Sequence, residues 1–222
     1  MNRLLTFLER YLDPGEQLGQ ALFGLVMVLT FTLAGVALVS DAEEPTRDLL
    51  LGVLGCNVAW GIIQGWMYVI DCVFERSRNA RLVLLVQEAA DAEQALALVR
   101  AELDPRLEEA TSEAARAALY QDIYRKAKDA GPPKNRATWH DLYGAIVVFV
   151  LVVATTIPAL LPFLLIDDLR VALRVSNVLL VLMLFWVGYR WAALTSTNRW
   201  RAGLQIMLGG VAMVGIAEVL GG

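Results

Sequence analysis

The sequence contains few of the residues on which most enzymes depend. Its 222 residues include one histidine and two cysteines. His140 has no serine or cysteine partner at a recognisable catalytic spacing, and no glycine-rich loop of the phosphate-binding kind occurs. We therefore expect that the protein is not an enzyme.

Charge is also scarce in this sequence. Only 19% of the residues are charged, the net charge is -4, and no run of Lys and Arg typical of nucleic-acid binding is present. We therefore expect no nucleic-acid partner. In contrast, 57% of the residues are hydrophobic and the mean hydropathy is +0.54, which indicates a protein of the lipid bilayer.

Several apolar stretches are long enough to cross a membrane, which takes roughly 20 residues for about 30 Å of hydrocarbon. Five stretches qualify: 20–39, 49–73, 142–166, 173–190 and 202–220. The sequence thus predicts an all-α polytopic membrane protein with five transmembrane helices. Five spans would place the two termini on opposite sides of the membrane.

The stretches outside the spans complete the predicted domain organisation. Residues 1–15 predict an amphipathic helix on the membrane surface, because Glu9 and Arg10 interrupt the apolar residues too early for a signal peptide. Spans one and two occupy residues 16–74, a helical cytoplasmic segment covers 75–138, and spans three to five lie within 139–222.

The segment 75–138 has the pattern of two helices, each with a narrow apolar seam. Asp104 and Pro105 are predicted to end the first helix and begin the second. Such short helices bury too little surface to be stable alone, so each seam must pack against the other, against the membrane helices or against a second subunit. We favour a homodimer contact.

The distribution of Lys and Arg predicts the orientation. Basic residues flank the segment 75–138 and recur between spans four and five, at Arg190, Arg199 and Arg201. The positive-inside rule makes these regions cytoplasmic, with the amino terminus inside and the carboxyl terminus outside. The expected location is a bacterial inner membrane.

Polar residues recur on one face of each of the first two spans. On span two, Asn57, Gln64 and Asp71 lie seven residues apart, on one helix stripe that also carries Met67. Span one offers a matching face at helical spacing, formed by Glu16, Gln20, Gly24 and Met27. Counting from the span midpoints places Gln20 level with Asp71, and Met27 level with Gln64.

These two faces predict a cation path lined by amide oxygens and thioethers, with carboxylates at its cytoplasmic mouth. Its residues are Glu16, Gln20, Met27, Asn57, Gln64, Met67 and Asp71. The alternative is that the methionines only fill space and the amides only hydrogen-bond neighbouring helices. No charged residue or histidine falls near the midpoint of any span, so a crossing ion meets little compensating charge.

The segment between spans two and three carries acids that could gather a hard divalent cation. The candidate metal ligands are Glu88, Asp91, Glu109 and Glu113. The alternative is simple solvation, because eleven acids between residues 75 and 138 are balanced by eleven bases.

The order of these parts resembles the vacuolar iron transporter family, and three local stretches add to the likeness. They are Phe23-Gly24-Leu25 in span one, Ile157-Pro158 with Pro162-Phe163 in span three, and Leu208-Gly209-Gly210 near the end. The resemblance implies a dimer that moves ferrous or manganous ions out of the cytoplasm, in exchange for protons. The family pattern has an acid where Phe23 stands, and a second acid where Asn57 stands.

Two further interpretations remain open from the sequence. The same fold could serve as a non-transporting or metal-responsive membrane scaffold, which would explain the uncharged spans directly. It could also carry another solute. In each case we expect no permanently bound cofactor, with iron(2+) or manganese(2+) as substrate in the transporter interpretation.

Overall fold

A computed structural model describes residues 10–39, 44–108, 110–131 and 135–219. Every regular element in this part of the chain is helical, which confirms the all-α class. The α-helices are α1 (Pro14–Val39), α2 (Pro45–Glu88), α3 (Ala92–Leu107), α4 (Glu113–Lys128), α5 (Trp139–Ala154), α6 (Thr156–Leu165), α7 (Leu169–Trp191) and α8 (Arg199–Val219). Most of the amphipathic helix predicted over 1–15 lies outside the described residues.

The chain folds as two compact units. The membrane unit comprises Met1–Val69 and Trp139–Gly222, and the connecting unit comprises Ile70–Thr138. Helix α2 continues without a break from one unit into the other, so its sequence does not mark where the membrane ends. The four-part division of the sequence, with span two ending at residue 74, stays a prediction.

Four helical stretches in the described residues are long and apolar enough to span a membrane. They are Pro14–Leu33, Pro45–Glu88, Trp139–Leu165 and Leu169–Leu194. Helix α8 is not among the four stretches found in the described residues. The four stretches agree with an integral membrane protein, and the count of five spans stays a prediction.

Helix α1 begins at Pro14, directly after Asp13. Asp13 accepts hydrogen bonds from the backbone N–H groups of Gly15 and Glu16, at 2.6 and 3.0 Å. Glu16 reciprocates by accepting from the N–H of Asp13 at 3.0 Å. This reciprocal arrangement satisfies the first N–H groups of α1 at one end of the membrane unit.

Helix α7 lies at the centre of the membrane unit and packs against α1, α6 and α8. Most of the buried side chains here are aliphatic, among them Leu25, Leu29, Val53, Leu180 and Leu184. Two polar contacts also join these helices, from Thr32 to Asn177 Oδ1 at 2.7 Å and from Ser176 to the carbonyl of Ala159 at 2.9 Å. Hydrogen bonds of this kind are common between membrane helices.

The connecting unit buries the apolar seams against each other. Val86, Ala95, Val99, Tyr120 and Ala127 form its core, drawn from the end of α2 and from α3 and α4. The seams therefore find partners within one chain, and the dimer contact stays a prediction.

The predicted helix boundary at Asp104 and Pro105 is wrong. Helix α3 continues through Pro105 to Leu107, and α4 begins at Glu113, where Ser112 accepts from the N–H of Ala115. Proline interrupts only the bond to the carbonyl four residues earlier, and the backbone N–H of Glu108 still bonds to the Asp104 carbonyl at 2.9 Å. One further turn therefore forms before the helix ends.

Candidate transport path in the membrane unit

Glycines let α2 and α5 approach each other closely. A side chain at Gly65 would place its Cβ 2.9 Å from the carbonyl oxygen of Ala145, and Gly61 faces Phe149 in the same way. Gly144 on α5 in turn makes room for the ring of Tyr68. The Gly61 and Gly65 pair thus allows a close helix contact with the third membrane-spanning stretch.

The regular helix of this third stretch is interrupted at one residue, Thr155, which keeps helical backbone torsion angles. Helix α5 ends at Ala154 and α6 begins at Thr156. Between them, the backbone N–H and the hydroxyl of Thr155 both donate to the carbonyl of Val152, at 3.3 and 2.6 Å. Pro158 has no N–H, so the carbonyl of Ala154 lacks its usual helical donor. The break therefore places hydroxyl and carbonyl oxygens inside an apolar span.

Helices α1 and α2 both bring polar or small residues to this break. Asn57 on α2 is only 1% exposed, and its amide Nδ2 donates to the hydroxyl of Thr156 at 2.7 Å. Gly24 on α1 faces Thr155, and a Cβ there would lie 2.9 Å from the carbonyl oxygen of Val152. Three membrane stretches therefore meet at the level of Thr155 and Thr156.

Three buried polar atoms of α1 and α2 have no hydrogen-bond partner among the described residues. They are Gln20 Oε1, Asn57 Oδ1 and Trp60 Nε1. Asn57 is bonded to Thr156 at the break, whereas Gln20 lies one turn before Gly24 on α1 and Trp60 lies about one turn after Asn57 on α2. An unsatisfied buried polar group costs about 1–3 kcal/mol, so each of them calls for a functional explanation.

The relative level of the first two helices follows from their short connection. Only five residues separate the end of α1 at Val39 from the start of α2 at Pro45. The ring of Phe31 lies 3.8 Å from where a Cβ of Gly52 would be, so the two helices are neighbours near this connection. In such an antiparallel pair, residues equally far from the connection lie at the same level.

This geometry corrects the predicted alignment by seven residues. Met27 lies twelve residues before the end of α1, and Asn57 lies twelve residues after the start of α2. Gln20 and Gln64 are both nineteen residues from the same two ends. Met27 is therefore level with Asn57, and Gln20 is level with Gln64. The span midpoints had instead paired Met27 with Gln64 and Gln20 with Asp71. The midpoints failed because α2 extends far beyond its span.

The remaining path residues lie in different surroundings. Glu16 caps its own helix, and Met27 and Gln64 are half-buried. Met67 is 45% exposed, and Asp71 is exposed on α2 in the connecting unit. Gln20 and Met27 thus lie on α1 and Asn57 lies on α2, the two helices that contact the break. Their roles in transport stay predictions.

The predicted metal ligands of the connecting unit are spread over its helices. Glu88 is exposed in the last turn of α2, and Asp91 caps α3 by accepting from the N–H of Gln94 at 2.8 Å. Glu113 lies in the first turn of α4, and Glu109 falls outside the described residues. No group of three or more His, Cys, Asp or Glu that could hold a metal occurs in the part that the structure describes.

Glu113 borders a small polar cavity of about 70 Å³ with Arg100 and Arg116. On its wall, the carboxylate of Asp104 accepts from the hydroxyl of Tyr120 at 2.5 Å and lies 3.5 Å from Arg116 Nε. Burial of the ring and the hydrogen bond to Asp104 raise the pKa of Tyr120. The carboxylates of Asp104 and Glu113 share this cavity with two guanidinium groups, so its balanced charge does not favour a cation.

Thr155 and Thr156 are the path residues that the sequence analysis missed. Their signal is visible in hindsight, because they are adjacent hydroxyl residues in an otherwise apolar span and Pro158 follows them. Hydroxyl side chains alone do not mark a helix break in a membrane, since they can bond back to their own helix. The hydrogen bond from Asn57 on α2 to Thr156 identifies them.

Together, the long apolar helices and the broken span define a polytopic α-helical membrane protein. Residues 74–222 match the model of the VIT family, which is more than half of the chain. The chain therefore belongs to the VIT family, which confirms the resemblance and indicates membrane transport of metal ions rather than enzymatic activity. A comparison with curated proteins gave no match. The matched region includes Thr155 and Thr156, whereas α1 lies outside it.

Proposed function

We propose that the protein moves a divalent metal ion, ferrous or manganous, out of the cytoplasm. The main support is the buried amide oxygen of Asn57, which has no partner among the described residues although its amide nitrogen bonds to Thr156 at the break between α5 and α6. Further unpartnered polar atoms, of Gln20 and Trp60, lie on the two helices that contact the break, α1 and α2. Polar atoms inside a bilayer are costly, and in transporters they commonly mark the substrate route at a discontinuous helix. Membership of the VIT family supports a metal ion as the substrate class.

The donors around the break suit a weakly held transition metal. The amide oxygens of Asn57 and Gln20 and the carbonyl of Ala154 are neutral oxygen donors. Met27, level with Asn57, adds a thioether, which favours transition metals over calcium or magnesium. Neutral donors hold a divalent ion less tightly than carboxylates do, so an ion that keeps part of its water can leave again.

The remaining path residues would serve the ends of the route. In this proposal Glu16 and Asp71 admit the ion, while Gln64 and Met67 lie beside its way through the membrane. The acids Glu88, Asp91, Glu109 and Glu113 would raise the local concentration of cations in the connecting unit. Proton antiport would use Asp71, because the described residues around the break include no Asp, Glu or His.

The setting of this proposal is a homodimer in a bacterial inner membrane. Its amino terminus and connecting unit would lie in the cytoplasm and its carboxyl terminus outside, following the distribution of Lys and Arg. Both the dimer and the orientation remain part of the proposal.

Flux into proteoliposomes tests the proposal. Purified protein is reconstituted into lipid vesicles that contain a metal-sensitive dye. Manganous or anaerobic ferrous ion is then added outside, with and without a pH gradient. We expect flux of both ions well above that of protein-free vesicles and above that of magnesium. Absence of flux from protein that remains folded, inserted and dimeric would contradict the proposal.

A scaffold without transport is the second candidate, and one observation favours it. The described membrane helices carry no carboxylate near the break, so no residue there can match the charge of a divalent ion. In this case, Asn57→Leu would leave every cellular metal phenotype unchanged. A substitution that disrupts the core of the connecting unit, such as Val99→Asp, would abolish the cellular metal phenotype.

A further inference from the structure

The corner between α7 and α8 carries three exposed arginines. Arg190 lies in the last turn of α7, and Arg199 and Arg201 lie in the first turn of α8. No Asp or Glu occurs in the sequence between residues 169 and 217. Within the described part of the chain, none of the three guanidinium groups has a carboxylate partner. Their positive charge is therefore not neutralised by a direct ion pair with any described residue.

Aromatic rings hold two of these guanidinium groups in place. Arg190 lies over the ring of Trp186 and Arg199 over that of Tyr189, each 5.9 Å from the ring centroid. Trp200 packs against Tyr189 at 5.7 Å between centroids, which ties α8 to α7. A guanidinium stacked by its face keeps its N–H edge available for a planar anion such as phosphate.

The backbone at the start of α8 adds to this positive field. The side chain of Asn198 accepts hydrogen bonds from the N–H groups of Trp200 and Arg201, at 3.0 and 3.2 Å, and so fixes the first turn. The positive end of the helix dipole points toward the same corner. The two arginines of α8 are thus presented on an ordered turn.

The corner also has the features of a membrane–water interface. Trp186 and Trp200 are 57% and 66% exposed, and such amphipathic rings are typical of the headgroup level. The neighbouring surface of the two helices is apolar and exposed, with Leu182, Leu204 and Leu208. Basic charge next to an apolar surface matches the two chemical parts of a phospholipid.

We propose that the α7–α8 corner binds the headgroup phosphate of an anionic phospholipid. The guanidinium groups of Arg190, Arg199 and Arg201 bind the phosphate, and the acyl chains lie along the exposed leucines of α7 and α8. A lipid is the occupant, rather than a soluble phosphate, because the charged corner continues directly into this apolar surface. The inference does not depend on the transported ion.

Thermal unfolding of the full-length protein in neutral detergent tests this site. We expect added phosphatidylglycerol to raise Tm more than phosphatidylcholine does, and the difference to shrink as salt is added. The triple variant Arg190→Gln, Arg199→Gln, Arg201→Gln should lose most of this difference. The matched control, Arg170→Gln with Arg174→Gln, removes two arginines from the opposite end of α7 and should keep it.

Other results would overturn the site or its occupant. Equal shifts from the two lipids, or a triple variant that keeps the full difference, would contradict the site. An equal shift from inorganic phosphate would assign the corner to a soluble ligand and so contradict the lipid. If the triple variant fails to fold, Arg201→Gln alone removes a guanidinium that stacks on no described ring. It should then lose part of the phosphatidylglycerol-specific shift, and an unchanged shift would refute the proposal.

Discussion

Asn57 on α2 donates a hydrogen bond of 2.7 Å to the hydroxyl of Thr156, the first residue of α6. This bond joins the polar face of the second membrane helix to the break in the third membrane stretch. It uses only one side of the amide, and Asn57 Oδ1 remains buried without a partner in the described residues. The candidate path is therefore centred on three stretches of the chain rather than two.

Asn57→Asp should strengthen metal binding at the break. A carboxylate there adds the negative charge that the site lacks, and we expect the metal concentration at half-maximal flux to fall about tenfold, equal to about 1.4 kcal/mol. Manganous flux between pH 6 and pH 8.5 measures this change.

Asn177→Asp is the matched control for that substitution. Asn177 is also hydrogen-bonded to a threonine, Thr32, at 2.7 Å, and this bond joins α7 to α1 rather than to Thr155 or Thr156. An equal gain from Asn177→Asp, or no change from Asn57→Asp at any pH, would argue against an ion at the break.

Gly65→Ala should destabilise the membrane unit. The added Cβ would lie 2.9 Å from the carbonyl oxygen of Ala145, and overpacking of this kind costs about 1–3 kcal/mol. Gly55→Ala is the control on the same helix, because nothing lies within 4 Å of its Cβ position. Since alanine favours helices over glycine by about 0.8–1.0 kcal/mol, the control should be neutral or stabilising. Thermal unfolding in detergent distinguishes the two, and similar Tm values would refute the close contact.

Tyr120→Phe should loosen the connecting unit by removing the hydrogen bond from Tyr120 to Asp104. Without its donor, the carboxylate keeps the guanidinium of Arg116 at 3.5 Å but loses its hydrogen bond to Tyr120. Hydrogen exchange in the full-length protein should become faster in α3 and α4. Tyr124→Phe is the control, since the Tyr124 ring is half-buried in the same unit, and unchanged exchange in Tyr120→Phe would contradict this role.

The raised pKa of Tyr120 also predicts a dependence on pH. Its protonated form is favoured in the folded unit, so the resulting stability is fully present below the usual tyrosine pKa of about 10. It is lost as the pH rises through the higher pKa of the folded state. Protection of α3 and α4 should therefore fall in alkaline buffer, and Tyr120→Phe should reduce this fall. An identical pH profile in both proteins would contradict the assignment.

The sequence predicted the helical class and the family because both depend on features that are local or ordered along the chain. Apolar length identified most of the membrane helices, and the Asp13 cap marked where α1 begins. The metal ligands could not be judged in this way, since carboxylates that are near in sequence, such as Glu88 and Asp91, serve different helix ends.

The predicted depth of the path failed for a different reason. A midpoint requires both ends of a span, and α2 runs on through 44 residues without marking the membrane edge. The length of the α1–α2 connection was a better guide, because it fixes which residues lie opposite each other. The break at Thr155 could be recognised only from the fold. The contacts of Gly24 with Thr155 and of Asn57 with Thr156 distinguish it from an ordinary proline kink.

The most direct test of the central claim compares metal flux in two leucine variants. Asn57→Leu and Asn177→Leu each remove an amide bonded to a threonine, but only Asn57 is bonded to a residue of the break. In proteoliposomes with equal amounts of folded protein, we predict that Asn57→Leu lowers manganous flux at least tenfold, while Asn177→Leu keeps it within about twofold of the unmodified protein. Equal flux in the two variants would contradict a metal path at Asn57 and Thr156.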